Sequence, residues 1–357
     1  MVELDDQSVI TQLDSSGLRD RLRDLPEQCT LAWSEAKGSR FPVEWRGCTE
    51  VVIAGMGGSA IAGDLVADLA GPDCKTPIRV VRDFTIPGLS AGRCPGAGPL
   101  VIVCSYSGET EETVSMFHRA QSAQLPMAAI VGGGTLEQKA KDAGIPVMKV
   151  NAPGEPRSAV GYNMMLLAAL LNQIGVISIS DDDVAQAVTA AAEVVASVDV
   201  DIPGNVNHAK SLAAELFGGL TLVYGGGAFS GMALRWKSQL NENGKSWAYA
   251  EKLPELFHNS VESFPGGPEI RGRTTALMLK PAQAGPELDL RYTVLAEMLD
   301  QSGITHHTLV GAGGGLLQQS LPMIVLGDYI SYYMGLLNGI NPSETPIINA
   351  SKARMAQ

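Results

Sequence analysis

Two stretches of this chain break an apolar run with glycines and then turn helical: VVIAGMGGSAIAGD at 51–64 and LTLVYGGGAFSGMA at 220–233. Runs this apolar are strands buried on both faces, which requires a parallel sheet covered by helices on each side. The segments that follow keep the alternation. After the helix SAIAGDLVADLA come strands IRVVRDF (78–84) and PLVIVCSYS (99–107), the helix TEETVSMFHRAQSA and the strand MAAIVGG (127–133). The helix LEQKAKDA and the short strand IPVMKV complete this set, and SAVGYNMMLLAALLNQIG and DDDVAQAVTAAAEVVASV predict two closing helices. Past DIPGN at 201–205 the order restarts, with strands RTTALMLK and ITHHTLV around the helix ELDLRYTVLAEMLDQSG and a long helix over LLQQSLPMIVLGDYISYYMGLLNG. The expected fold is α/β, with two similar subdomains, each a parallel sheet flanked by helices in a three-layer sandwich. The boundaries predicted are a helical extension at 1–47, a first subdomain at 48–200 with its closing helices, and a second at 205–352 that includes the C-terminal tail.

A length of 357 residues suits two such units. The formal net charge of −12 argues against a nucleic-acid partner, whose phosphates need clustered Lys and Arg. An anionic ligand would therefore be held by local donors. The five cysteines (Cys29, Cys48, Cys74, Cys94, Cys104) lie in the first third and lack CxxC spacing, which predicts reduced thiols, no zinc site and a cytoplasmic protein. The acidic start MVELDDQS resembles no signal peptide, and MMLLAALL (164–171) is far short of the ~20 residues a membrane span needs.

The first corner admits two ligands. Gly55 and Gly57, with Ala60 for a third glycine and Asp83 at the end of the next strand, suit a dinucleotide. Ser59 suits a compact anion instead, because its hydroxyl stands beside the free N–H groups of a helix start. The loop SYSGETEET (105–113) decides between them. It adds the hydroxyls of Ser105, Ser107 and Thr110 at the carboxyl end of a second strand, a loop that a dinucleotide site does not need and a sugar phosphate does.

GMGGSAIAGD together with SYSGETEE resembles a sugar isomerase (SIS) domain. Later segments are similar to one family, the bifunctional phosphoglucose/phosphomannose isomerases. They are Pro156-Arg157 with Gly161-Tyr162, Arg235-Trp236 with Gln239, Asn241-Glu242-Asn243 and Lys245, Pro254-Glu255 with His258-Asn259, and finally Asn341-Pro342 and Lys352. Phe257, Ser260, Asn341 and Glu109 depart from that family's usual Asn, Glu, Asp and Asn.

The resemblance implies an enzyme that interconverts glucose 6-phosphate, mannose 6-phosphate or both with fructose 6-phosphate through a cis-enediol, without metal or other cofactor. Glu242 would carry the proton between C1 and C2. His258, reaching in from the neighbouring subunit of a homodimer, would open the sugar ring with Lys352. Arg157 would stabilise the enediolate, and Gly57, Gly58, Ser59, Ser105, Ser107 and Thr110 would bind the phosphate. The alternative is a non-catalytic sugar-phosphate sensor, which would keep the serine loops and dispense with Glu242, His258 and Lys352.

Overall fold

The computed structural model describes residues 3–88 and 98–355, so Cys94 lies outside the described residues. Three short helices, α1 (Gln7–Leu13), α2 (Leu18–Arg23) and α3 (Leu25–Ala36), form the N-terminal extension. The first sheet then builds from β1 (Glu50–Gly55), α4 (Gly57–Ala70), β2 (Ile78–Val81), β3 (Pro99–Ser105), α5 (Glu111–Ser122), β4 (Met127–Val131), α6 (Gly134–Asp142) and β5 (Val147–Lys149). Its strands are all parallel in the order β2-β1-β3-β4-β5. Every residue of β3 and β4 is buried, as a sheet covered on both faces demands. Strand β2 is shorter than the sequence predicts. Arg82 leaves the ladder to pair with Asp64 on α4, and Asp83 accepts the Phe84 N–H in a bend rather than ending a strand.

Helices α7 (Val160–Gln173), α8 (Asp181–Val198) and α9 (His208–Leu216) lead to the second unit. That unit comprises β6 (Leu220–Gly226), α10 (Ser230–Glu242), β7 (Ala248–Leu253), α11 (Pro268–Arg271), β8 (Thr274–Lys280), α12 (Pro286–Ser302), β9 (Thr305–Val310), α13 (Leu316–Leu337) and α14 (Pro346–Met355). The parallel order here is β7-β6-β8-β9. In both sheets the strand before the glycine corner is second in order, between the next two strands of the sequence. The corners also share their backbone, since Gly57 (φ 49°) and Gly227 (φ 57°) both adopt the left-handed conformation that favours glycine.

Twelve consecutive residues of α7, Val160 to Leu171, are buried, because α3 and α4 cover it from different sides. Almost all of α13 is buried likewise, chiefly against α8, α9 and α10. One apolar core therefore runs from the N-terminal extension to α13. The buried thiols of Cys29 and Cys104 are pushed up to about 12 by desolvation, which keeps them protonated and inert. No helix among the described residues is long and apolar enough to cross a membrane.

Candidate active site

The first glycine corner leaves the N-terminus of α4 open. The N–H groups of Gly57, Gly58 and Ser59 begin the helix without a hydrogen-bond partner among the described residues, and helix starts of this kind attract anions. Ser59 is buried and accepts a hydrogen bond from the Tyr106 N–H (3.2 Å), which ties the corner to the second hydroxyl loop. In that loop Ser105 lies 3.2 Å from the Thr110 hydroxyl and accepts the Gly108 N–H (3.1 Å), while Ser107 accepts the Glu109 N–H (3.2 Å). Ser59 and Ser107 thus act as acceptors toward the backbone, so their own O–H hydrogens stay available to an anion. The Gly108 N–H, by contrast, is spent inside the loop. Glu109 turns away to cap Thr135, accepting from its N–H and hydroxyl.

Gly58 links this cradle to the rest of the site. A Cβ there would lie 2.9 Å from the Pro156 carbonyl oxygen and 3.1 Å from the Arg157 nitrogen, so only glycine lets the Pro156-Arg157 segment come this close. Arg157 is 4% exposed. Its Nε donates to Asn243 (2.6 Å), and its Nη2 donates to the carbonyls of Pro342 (3.0 Å) and Ser343 (2.6 Å). Nη1 points to the Glu242 carboxylate, 3.5 Å away. Burial lowers the guanidinium's affinity for its proton, and Glu155 and Glu242 oppose that shift.

The spacing of Arg235, Gln239 and Asn243 along α10 sets them on one helical face, as i, i+4, i+8 requires. That face meets α13. Asp328 is fully buried and accepts from Arg235 (2.7 Å) and Gln239 (2.9 Å), and Asn243 donates to the Ser331 hydroxyl (3.1 Å). Arg235 also donates to the Arg157 carbonyl (3.0 Å). Burial pushes the Asp328 carboxyl up and the Arg235 guanidinium opposes it. Sequence reasoning missed Asp328 and Ser331. The available signal was that Asp328 is the single charged residue in the 22 residues of α13, and a carboxylate in so apolar a helix needs a buried cation.

The second glycine corner is closed. Phe229 stands where Ser59 stands in the first and is fully buried, and residues 280–286 carry no Ser or Thr where 105–110 carry three. The N-terminus of α10 is instead filled by Asp68, near the end of α4, which accepts the Gly231 N–H (2.6 Å). Helices α4 and α10 therefore run antiparallel: the start of α4 meets the end of α10 through Arg157, and the end of α4 meets the start of α10.

The Asp68 carboxyl is pushed up to about 7, chiefly by burial. In an unfolded chain it titrates near about 4. Between those values the unfolded chain has lost a proton that the folded chain keeps, so this group's contribution to stability falls as pH rises from about 4 to about 7. Asp68→Asn keeps an acceptor for Gly231 and removes the titration. The variant is expected to lose less stability than the parent between pH 4.5 and 7.5, by roughly 2–4 kcal/mol at about 1.4 kcal/mol per pKa unit. Urea unfolding at both pH values checks this, and an unchanged pH dependence would contradict it.

Of the residues singled out in the sequence, the chain brings Gly57, Gly58, Ser59, Ser105, Ser107, Thr110, Arg157 and Glu242 onto one connected framework. Neither His258 nor Lys352 makes a hydrogen bond or ion pair to that framework among the described residues. His258 follows β7 in a short 3-10 turn, exposed and without a hydrogen bond among the described residues. Leu253, which ends β7, pairs with Gly226 at the end of β6. His258 therefore follows the strand end that lies toward the start of α10, whereas Glu242 ends that helix, whose 13 residues span about 20 Å at 1.5 Å per residue. Lys352 is exposed on α14, a helix with no buried residue, where the sequence predicts only a tail. A cavity of about 480 Å³ opens between Glu242, Trp247, Ile340, Thr345 and Ile347.

The chain is similar to known proteins over most of its length. Residues 205–355 match the family model described as the bacterial phospho-glucose isomerase C-terminal SIS domain. The chain is 30% identical over 335 residues to a bifunctional phosphoglucose/phosphomannose isomerase of Caldicellulosiruptor bescii, covering 94% of this chain and 97% of that one. It is also 30% identical over 306 residues to a protein of the same description from Aquifex aeolicus, covering 85% and 90%. The crystal structure of tagatose-6-phosphate ketose/aldose isomerase from Escherichia coli shares the fold, with a TM-score of 0.68 and 14% identity over 93% of this chain and 97% of that one.

Proposed function

Because the chain belongs to the bifunctional phosphoglucose/phosphomannose isomerases, we propose that its reaction runs through the site built on Ser59, Ser105, Arg157 and Glu242. The enzyme interconverts glucose 6-phosphate and mannose 6-phosphate with fructose 6-phosphate. The observation that carries the site assignment is Arg157, which meets the phosphate cradle at Gly58 and the Glu242 carboxylate at Nη1.

In this reading the substrate phosphate occupies the N-terminus of α4 and takes the hydroxyls of Ser59, Ser105, Ser107 and Thr110. Glu242 removes the C2 proton of the aldose and returns it to C1, as a positioned carboxylate can. The enediolate that forms carries its charge on the C1 and C2 oxygens, and Arg157 Nη1, the guanidinium nitrogen not bound to main chain or to Asn243, stabilises it. The buried Arg235–Asp328 pair and Ser331 hold Arg157 and Asn243 so that this donor needs no rearrangement.

His258 performs ring opening from a second copy of the chain, with Lys352 as its partner. The length of α10 supports the assignment across an interface, since it separates His258 from Glu242 of its own chain. A covering surface is available for that second copy. Trp247, just before the edge strand β7, and Tyr249, on it, are 73% and 53% exposed and stack with ring centroids 6.3 Å apart. The subdomain limits 48–200 and 205–352 belong to the same proposal, supported by the family match beginning at 205.

Turnover of each aldose phosphate, coupled to detection of fructose 6-phosphate, tests the reading in the purified protein. Both should be converted, and Ser107→Ala should raise KM about tenfold or more with a smaller change in kcat, since a charge-assisted bond to phosphate is worth about 1.5–3 kcal/mol. An unchanged KM would move the phosphate elsewhere. Absence of turnover with either sugar would favour the sensor alternative.

A further inference from the structure

Lys245 follows Glu242 by three residues and sits in the left-handed region at φ 51°, a conformation that side-chain-bearing residues other than Asn and Asp rarely adopt. Such a backbone persists where its surroundings fix it, and it concentrates at functional sites. Here it reverses the chain after α10, so that the Ser246 N–H caps the Leu240 carbonyl (3.1 Å) and the Lys245 side chain turns back to the helix end. Its ammonium donates to the Glu242 carbonyl, which as the last carbonyl of α10 has no partner within the helix. It donates also to the Pro342 carbonyl (3.1 Å).

Pro342 belongs to a strap, Asn341–Ser343, that precedes Thr345 and α14. Several groups grip it. Arg157 holds the carbonyls of Pro342 and Ser343, Arg21 donates to the Ser343 hydroxyl (3.0 Å), and the Asn341 amide reaches the hydroxyls of Ser15 (3.1 Å) and Ser16 (3.0 Å). Among these grips, Lys245 alone joins the strap to the main chain of Glu242. The cavity beside Glu242 is lined by Glu242 and Lys245 together with Ile340, Thr345 and Ile347, so the joint lies at its edge.

We infer that Lys245 is a positioning residue for the isomerisation: by clamping the end of α10 to the strap at 341–343, it fixes the Glu242 carboxylate opposite Arg157 Nη1. The inference rests on the reading of Glu242 as the base. Burial and the neighbouring Arg157 lower the ammonium to about 8, against the opposing carboxylates of Glu242, Glu344 and Glu155, so it is charged at neutral pH. A phosphate cradle built on α4 and on the loop after β3 is untouched by the clamp. Loss of the clamp should therefore slow the chemistry and leave substrate binding intact.

Lys245→Asn removes the ammonium and retains a residue that tolerates the left-handed backbone. The full-length variant is expected to show kcat for fructose 6-phosphate lowered at least tenfold, KM within threefold of the parent, an unchanged Tm, and faster amide hydrogen exchange confined to residues 340–355. A kcat within threefold of the parent overturns the inference, whatever the exchange shows. A fall in kcat with lowered Tm and exchange raised throughout the chain overturns it too, because Lys245 would then be structural. Glu242→Gln is measured alongside. If it retains turnover, the base assignment fails and takes this inference with it, whereas an inactive Glu242→Gln beside a fully active Lys245→Asn overturns the clamp alone.

Discussion

Glu242→Gln is expected to lower kcat by on the order of 10²–10⁴ with KM little changed, the range for loss of a positioned acid–base group. The substitution preserves shape, and the amide oxygen can still face Arg157 Nη1, which lies 3.5 Å from the carboxylate. The Asn243, Pro342 and Ser343 contacts of Arg157 do not involve the Glu242 side chain, so the guanidinium should hold its place. The variant should therefore fold and bind the sugar phosphate, and lack only the base. Steady-state kinetics with fructose 6-phosphate check this. Near-normal turnover would remove Glu242 from the chemistry and revive the sensor alternative.

The second large effect concerns His258. His258→Ala should lose most turnover of the cyclic sugar phosphates, because ring opening would lack its proton shuttle. Mixed with Glu242→Gln, it should regain part of it. In a heterodimer one site combines the defective groups, and the other combines an intact Glu242 with an intact His258. Such a site approaches parental activity, so a statistical mixture should recover up to roughly a quarter of the parental rate per site, far above two variants each reduced on the order of 10²-fold. Failure of verified heterodimers to recover activity would put His258 in its own chain's site or outside the reaction. The separation along α10 argues against the first of these.

The parts of the molecule legible in sequence were those where one physical demand dominates. Strands β1, β3, β4, β6 and β8 are apolar runs because both sheet faces are covered, and the corners at Gly57 and Gly227 announce themselves by a backbone that favours glycine. Strand β7 was not legible. It is an edge with only its ends buried, so AYAEKL carries no clear run. Helix α14 has no buried residue in the single chain and hence no apolar stripe to read.

In the site, the hydroxyl loops were visible because their chemistry is local. The support was not, because Asp328, Ser331, Pro342 and Ser343 contribute through contacts 88 to 186 residues distant in sequence, two of them through main-chain carbonyls that any residue type supplies. Motif order named Glu242, His258 and Lys352 together. The fold sets His258 at the opposite end of α10 from Glu242 within one chain, a separation that spacing in sequence does not reveal.

Deuterium exchange at C2 reports whether Glu242 moves the proton of the isomerisation. Incubating the parent enzyme with glucose 6-phosphate in deuterated water and following C2 by proton NMR tests it most directly. Deuterium should appear at C2 in glucose 6-phosphate recovered from the parent, and none above background with Glu242→Gln under conditions where the variant still binds the sugar phosphate. Deuterium entering at the parental rate in Glu242→Gln would take Glu242 out of the proton transfer.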